Sequence, residues 1–175
     1  ENLKVTIKGH VGYYCGGMNK NAEIVIDGNA GTGLGENMMS GVIHVKGNAS
    51  QSAGATAHGG TIIINGNASS RCGISLKGAN LIVKGSVGHM SAFMAQSGTL
   101  LVCGNAGEAL GDSIYETVIY LAGKPKSLGV DCEEKNITKK DLIKIEELLK
   151  IGNVKNIKAN KFKKYGSARK LYNFQ

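Results

Sequence analysis

The sequence predicts an all-β fold, a single-stranded right-handed parallel β-helix of about six to seven coils, followed by a helix and a basic tail. Three observations predict it. Set in rows of 19, the chain places glycine in one column seven times, at Gly9, Gly28, Gly47, Gly66, Gly85, Gly104 and Gly123. Before each lies a run of about five residues rich in Val and Ile, too short for a helix and suited to a strand. The rows carry no insertion or deletion. A strict period near 20 residues with one apolar run per period is the mark of a solenoid.

The strands come first. Their second and fourth positions are always apolar, as in Val5/Ile7, Ile24/Ile26, Ile43/Val45, Ile62/Ile64, Leu81/Val83, Leu100/Val102 and Ile119/Leu121. Neighbours such as Lys4, Thr6, Lys8, Glu23, Asp27, His44 and Lys46 are polar, so one face turns inward and the other outward. Successive coils then stack in parallel, roughly 4.8 Å apart, with a right-handed crossover. Small or apolar columns (Val11, Ala30, Ala49, Ala68, Val87, Ala106; then Cys15, Leu34, Ala53, Cys72, Leu110) supply the other inner walls. A second glycine column, Gly16, Gly35, Gly54, Gly73 and Gly111 with Ala92 as its exception, marks corners along with the first, where positive φ or tight backbone approach is needed. Asn29, Asn48, Asn67 and Asn105 follow the first glycine column and suit αL geometry and amide stacking along the axis. The competing architecture is an antiparallel meander, for which Asp27-Gly28 and Asn65-Gly66 would be hairpin turns. A coil must keep its circumference constant and a meander need not; the constant period favours the coil.

After the repeats, residues 124–136 form a linker opened by the chain's one proline, Pro125. Thr138 is a candidate N-cap with Asp141 in a capping-box arrangement. Leu142, Ile145, Leu148 and Leu149 make an apolar stripe, and Gly152 is the expected stop. Such a helix should lie on the coils, covering the last strand's edge or flank. The expected division is 1–130 for the β-helix and 131–175 for the helix and basic tail.

Composition narrows the function classes. Of 175 residues, 26 are glycine, three are Phe and none is Trp, as a thin lumen lined by small side chains requires. No apolar run suggests a membrane span, and no signal peptide is visible. Cys15, Cys72, Cys103 and Cys132 have neither metal nor disulfide spacing, which points to a reducing cytoplasm. Cys15 and Cys72 share a column three coils apart, roughly 14 Å, too far to bridge. His10, His44, His58 and His89 fall in four different columns, so no pair is expected to converge on a metal or reacting proton. Gly31-x-Gly33-x-Gly35 has the look of a phosphate loop, but Glu36 and the following residues do not continue a dinucleotide fingerprint. Gly123-Lys124 is followed by Pro125 where a P-loop needs Ser or Thr. No catalytic, cofactor-binding or metal-binding residue is expected.

Charge is concentrated at the C-terminal end. Residues 1–123 balance seven basic groups with seven acidic ones, so residues 124–175 supply the whole net +8. From Lys155 onward there are seven basic residues and no acid, interleaved with Phe162, Tyr165, Tyr172 and Phe174. Such a tail suits nucleic acid, an anionic membrane or an acidic protein surface. The candidate partner-binding residues are Lys161, Lys163, Lys164, Tyr165, Arg169, Lys170 and Tyr172, with a companion protein as the expected partner; neither nucleic acid nor membrane is.

The Gly-Asn-Ala-Gly coils (Gly28-Asn29-Ala30-Gly31 and its repeats), the literal Gly31-x-Gly33-x-Gly35 and the close at Gly123-Lys124-Pro125 resemble the GXGXG domain, the C-terminal β-helix of the glutamate synthase large subunit. They are also similar to the corresponding β-helical subunit of formylmethanofuran dehydrogenase. The resemblance covers about residues 3–130. The tail KFKKYGSARKLYNF at 161–174 looks more like the stand-alone GXGXG subunits of archaeal-type glutamate synthases. The resemblance implies a non-catalytic structural subunit or domain of an amidotransferase–oxidoreductase that makes glutamate from glutamine and 2-oxoglutarate. Its partners would be a glutamine amidotransferase and a synthase subunit, and the latter, not this chain, would carry FMN and an iron–sulfur cluster. The first residue is Glu1 rather than the family's nucleophilic cysteine, and no clustered cysteines are present for iron–sulfur ligation. Two alternatives stay open: the equivalent subunit of a tungsten or molybdenum formylmethanofuran dehydrogenase, and a stand-alone carbohydrate-binding β-helix. A homo-oligomer formed through the uncovered first coil is a further expectation.

Overall fold

The computed structural model describes residues 2–171. Seven strands run in parallel and in strict order: β1 (Lys4–Lys8), β2 (Glu23–Asp27), β3 (Val42–Val45), β4 (Thr61–Ile64), β5 (Lys77–Val83), β6 (Ser97–Val102) and β7 (Val118–Leu121). Their register steps by 19, with Ile24 on Ile43, Ile62 on Leu81 and Leu81 on Leu100. The repeat is therefore a right-handed parallel β-helix with one sequence row per turn. Parallel pairing of every adjacent coil removes the meander. The inward residues Ile26, Ile43, Val45, Ile62, Ile64, Leu81, Val83, Leu100, Val102, Ile119 and Leu121 form one continuous buried core with the alanine column.

The two glycine columns do different work. In the first, only Gly9 has positive φ; the others are held by close approach. A Cβ on Gly66 would lie 2.9 Å from the Gly47 carbonyl oxygen and would also strike Asn48 Oδ1 of the preceding coil. In the second, Gly54 and Gly73 both have φ of +70, yet φ alone does not select glycine. Flanking corner positions such as Tyr14, Ser52, Arg71, Asn37 and Thr56 also carry φ between +53 and +58. The added demand at Gly54 is the lumen, since a Cβ there would sit 2.6 Å from Leu81 Cδ2. At Gly73 the nearest atom is 3.4 Å away, and Ala92, at φ 58 and fully buried, shows that a methyl group can be housed. Gly54→Ala should thus cost about 2 kcal/mol more than Gly73→Ala, because strain at φ > 0 is common to both and overpacking is not. Chemical denaturation of the two variants checks this; equal costs would remove the lumen argument.

The asparagine column acts through the backbone rather than by amide stacking alone. Asn29 Oδ1 accepts the N–H of Asn48, Asn48 Oδ1 that of Asn67, and Asn67 Oδ1 that of Ser86, each at 2.8 Å. Ser86 Oγ continues the ladder to Asn105, and His10 Nδ1 begins it at Asn29. Each coil's corner N–H, which a ladder of strands cannot reach, is satisfied by the coil before it.

Helix α1 (Lys139–Ile151) starts on the expected capping box: Asp141 N–H donates to Thr138 Oγ1, and Thr138 N–H donates to Asp141 Oδ2. Its end differs from the expectation in one detail. Gly152 is in αR, and Asn153 takes the left-handed position (φ 51). Val154 N–H bonds the Leu149 carbonyl and Asn153 N–H the Lys150 carbonyl, the two bonds of a Schellman stop. Gly152 is small for another reason: a Cβ would lie 2.9 Å from Ile82 Cγ2 on the sheet. The helix lies on the flank, where Ile145, Leu148 and Leu149 cover Ile63, Ile82, Leu101 and Tyr120 on the outward face of the later coils.

The last strand edge is covered by something else. Beyond a 3₁₀ turn at Ala159–Lys161, strand β9 (Lys163–Ser167) pairs antiparallel with β7, and β8 (Cys132–Lys135) pairs antiparallel with β9. The expected linker at 124–136 therefore contains a strand, and part of the tail is another. The outer edge of β8, Cys-Glu-Glu-Lys, is short and charged, which discourages further pairing.

Candidate partner interface

The basic segment holds the candidate residues that the sequence suggests, and the fold sorts them. Tyr165, in β9 opposite Ile119, is 3% exposed and joins the solenoid core. Lys164 reaches the other face, where its Nζ lies 2.9 Å from Asp141 Oδ1. Lys163 pairs with Glu134 across β8 at 2.9 Å, and Arg169 with Glu116 at 2.9 Å, both with exposed side chains. Lys161 and Lys170 are exposed; the backbone N–H of Lys170 is tied to Asp131 Oδ1 at 2.8 Å. Tyr172 lies outside the described residues. The basic segment is bound to the chain's own body by its strand and its ion pairs, while Lys161, Lys163, Arg169 and Lys170 keep exposed side chains.

Asp141 is the electrostatic centre of this end. It is buried, and accepts from Tyr120 Oη at 2.6 Å, Thr138 N at 2.8 Å, Thr138 Oγ1 at 2.7 Å and Lys164 Nζ at 3.1 Å. Burial alone would push its carboxyl up, but the donors from Tyr120, Thr138 and Lys164 outweigh it and hold the group well below the usual carboxylate range. Burial, with the Asp141 carboxylate beside it, pushes the Tyr120 phenol up. Four donors from three residues on one carboxylate join the helix, β7 and β9 into one cap.

Beside the cap, Lys124, Lys161 and Lys163 rim a groove whose walls include Pro125, Leu128 and Tyr165, with Glu134 as its acid. Apolar floor and cationic rim suit an acidic protein segment.

The other chemistry-bearing residues stay dispersed. Burial raises the thiols of Cys72 and Cys132 to about 12 and that of Cys103 to about 11, so none is poised as a thiolate. Among the described residues, no group of three or more His, Cys, Asp or Glu side chains is placed to hold a metal ion, and the four-thiolate set of an iron–sulfur cluster is not assembled. No helix there is long and apolar enough to cross a membrane. The glycine triplet proves to be a packing device. A Cβ on Gly31 would lie 2.7 Å from the Gly12 backbone, one on Gly33 2.5 Å from the Tyr14 ring, and one on Gly35 2.5 Å from Ile62 Cδ1.

A family profile described as "GXGXG motif" matches residues 2–175. A curated relative, Protein GlxC of Rhizobium meliloti (strain 1021), is 55% identical over 66 residues, which is 38% of this chain and 29% of that protein. The match thus spans less than a third of the relative's length. No solved structure matches the chain.

Proposed function

The chain belongs to the GXGXG-motif family, and on that basis we propose that it is a non-catalytic, shape-giving subunit or domain of a glutamate synthase-like amidotransferase–oxidoreductase. In this reading a glutamine amidotransferase releases ammonia, a synthase subunit holding FMN and an iron–sulfur cluster reduces the imine formed with 2-oxoglutarate, and the β-helix braces the two. The observation that carries it is the use of the repeat residues. Glycines, asparagines and inward aliphatics are consumed in stacking coil on coil, while histidines and thiols are scattered and the exposed cations face solvent.

Reconstitution tests the proposal. The chain, mixed with an amidotransferase and an FMN and iron–sulfur synthase subunit from the same cell, should form a stoichiometric complex whose glutamine-dependent glutamate synthesis falls when the chain is omitted. Lys161→Glu with Lys170→Glu should weaken assembly and leave the isolated chain's melt unchanged, since both side chains are exposed. Full coupled activity without the chain would overturn the reading. So would assembly with the pterin-bearing subunits of a formylmethanofuran dehydrogenase instead.

A further inference from the structure

The last coil closes the ladders that tie the earlier ones together. In each earlier coil the N–H of the small-residue column donates to the next coil: Ala30 to the Asn48 carbonyl, Ala49 to Asn67, Ala68 to Ser86, Val87 to Asn105 and Ala106 to Lys124. Pro125 takes that column in the last coil, bridged to Ala106, and it has no N–H to pass on. The side-chain ladder stops one residue earlier. Lys124 N–H donates to Asn105 Oδ1 at 2.9 Å, but the lysine side chain carries no acceptor for a following coil. Donors and acceptors therefore run out together at this corner. Whatever packs on it does so through side chains, not as a further coil.

The groove described above opens at the same corner, between the end of the spiral and the β8–β9 cap, so both of its walls belong to the chain itself. Pro125 and Leu128 are partly exposed there, and Leu128 packs on the solenoid core from behind. Charge on the rim is unbalanced. Glu134 is the one acid of the walls, and Lys163 already holds it at 2.9 Å. Lys124 and Lys161 are exposed, and among the described residues neither has a carboxylate partner. Two cations without counter-charges flank an apolar strip.

We propose that this groove takes an acidic segment of the companion protein, laid across the end of the spiral and not added to it as a strand. Carboxylates of the segment meet Lys124 and Lys161, and an apolar side chain between them rests on Pro125 and Leu128. The proposal rests on the reading of the chain as a bracing subunit and names the surface by which it would brace. Apolar contact at the centre supplies the affinity, and the two charges set register and selectivity.

The test places the photo-crosslinker p-benzoylphenylalanine at position 161 of the full chain, in its assembled complex, and sequences the crosslinked peptide. That peptide should carry at least two carboxylates flanking an apolar residue. Lys124→Glu with Lys161→Glu should weaken the complex at least about tenfold and leave the isolated chain's melt unchanged, whereas Lys124→Arg with Lys161→Arg should preserve it. Binding should weaken with salt. Lys20→Glu with Lys77→Glu makes the same change of charge on exposed lysines outside the groove and should have little effect. An equal loss in the two charge-reversed variants would overturn the proposal by making net charge the cause. A crosslink to a neutral or basic segment, to nucleic acid or to a second copy would overturn it, as would an assembled complex with no crosslink at this position. An acidic segment from a protein other than an amidotransferase or synthase subunit would sustain the groove and remove the glutamate synthase-like reading.

Discussion

Gly66→Val is expected to cost about 3–5 kcal/mol, and through that to lower the melting midpoint by about 10 °C. The new Cβ would sit 2.9 Å from both the Gly47 carbonyl oxygen and Asn48 Cγ. Neither can retreat cheaply. Gly47 O accepts the N–H of Gly66 itself, and Asn48 Oδ1 accepts that of Asn67 at 2.8 Å, so relief of the clash breaks the coil-to-coil bonds at that corner. Both γ-methyl groups of valine enlarge the insult. The matched control is Gly12→Ala, where a Cβ would meet nothing within 4 Å among the described residues and φ is not positive: it should stay within about 0.5 kcal/mol of the parent. Urea unfolding of the two variants decides the matter. A neutral Gly66→Val would mean that the coils have room between their corners and that the glycine column is not what spaces them.

Stacking geometry explains why so much of the spiral is legible in one sequence. Each coil must match the next residue for residue, so a single period of 19 fixes strand, corner and ladder at once, and Asn48 occupies the same place as Asn67 because the same orphan N–H recurs. The helix is legible for a local reason, since Thr138 and Asp141 cap it whatever it packs on. The cap strands are not legible. Lys163 and Lys164 in β9 form a charged run with no alternation, and they are a strand because the bare edge of β7, distant along the chain, imposes it. The charge of Lys164 is absorbed by Asp141, a partner that no local pattern links to it. The seat of the helix does leave a signal in the repeats. The outward third position of the strand reads Thr6, Val25, His44 and then Ile63, Ile82, Leu101, Tyr120. That change from mixed to wholly apolar is the footprint of the helix on the flank.

Asp141→Ala should destabilise the cap by about 3–5 kcal/mol, because it strands Lys164, only partly exposed, without its counter-charge and Tyr120 Oη without its acceptor. Lys164→Met should cost less, since Asp141 keeps Tyr120 and both donors of Thr138. The pH dependence follows from the same four contacts. The Asp141 carboxyl is held below the ordinary value of about 3.9 that it regains on unfolding. Its contribution is therefore complete above about pH 5 and is lost as pH falls through the unfolded value toward the folded one. Acid should loosen α1 and β9 before the coils, seen as hydrogen exchange rising at 139–151 and 163–167 while 61–64 and 81–83 stay protected. Asp141→Asn, which has no such proton to gain, should flatten that acid slope while lowering stability at neutral pH. A variant that kept the parental slope would place the acid sensitivity on another carboxylate, and one that kept the parental stability would show the buried ion pair to be dispensable to the cap.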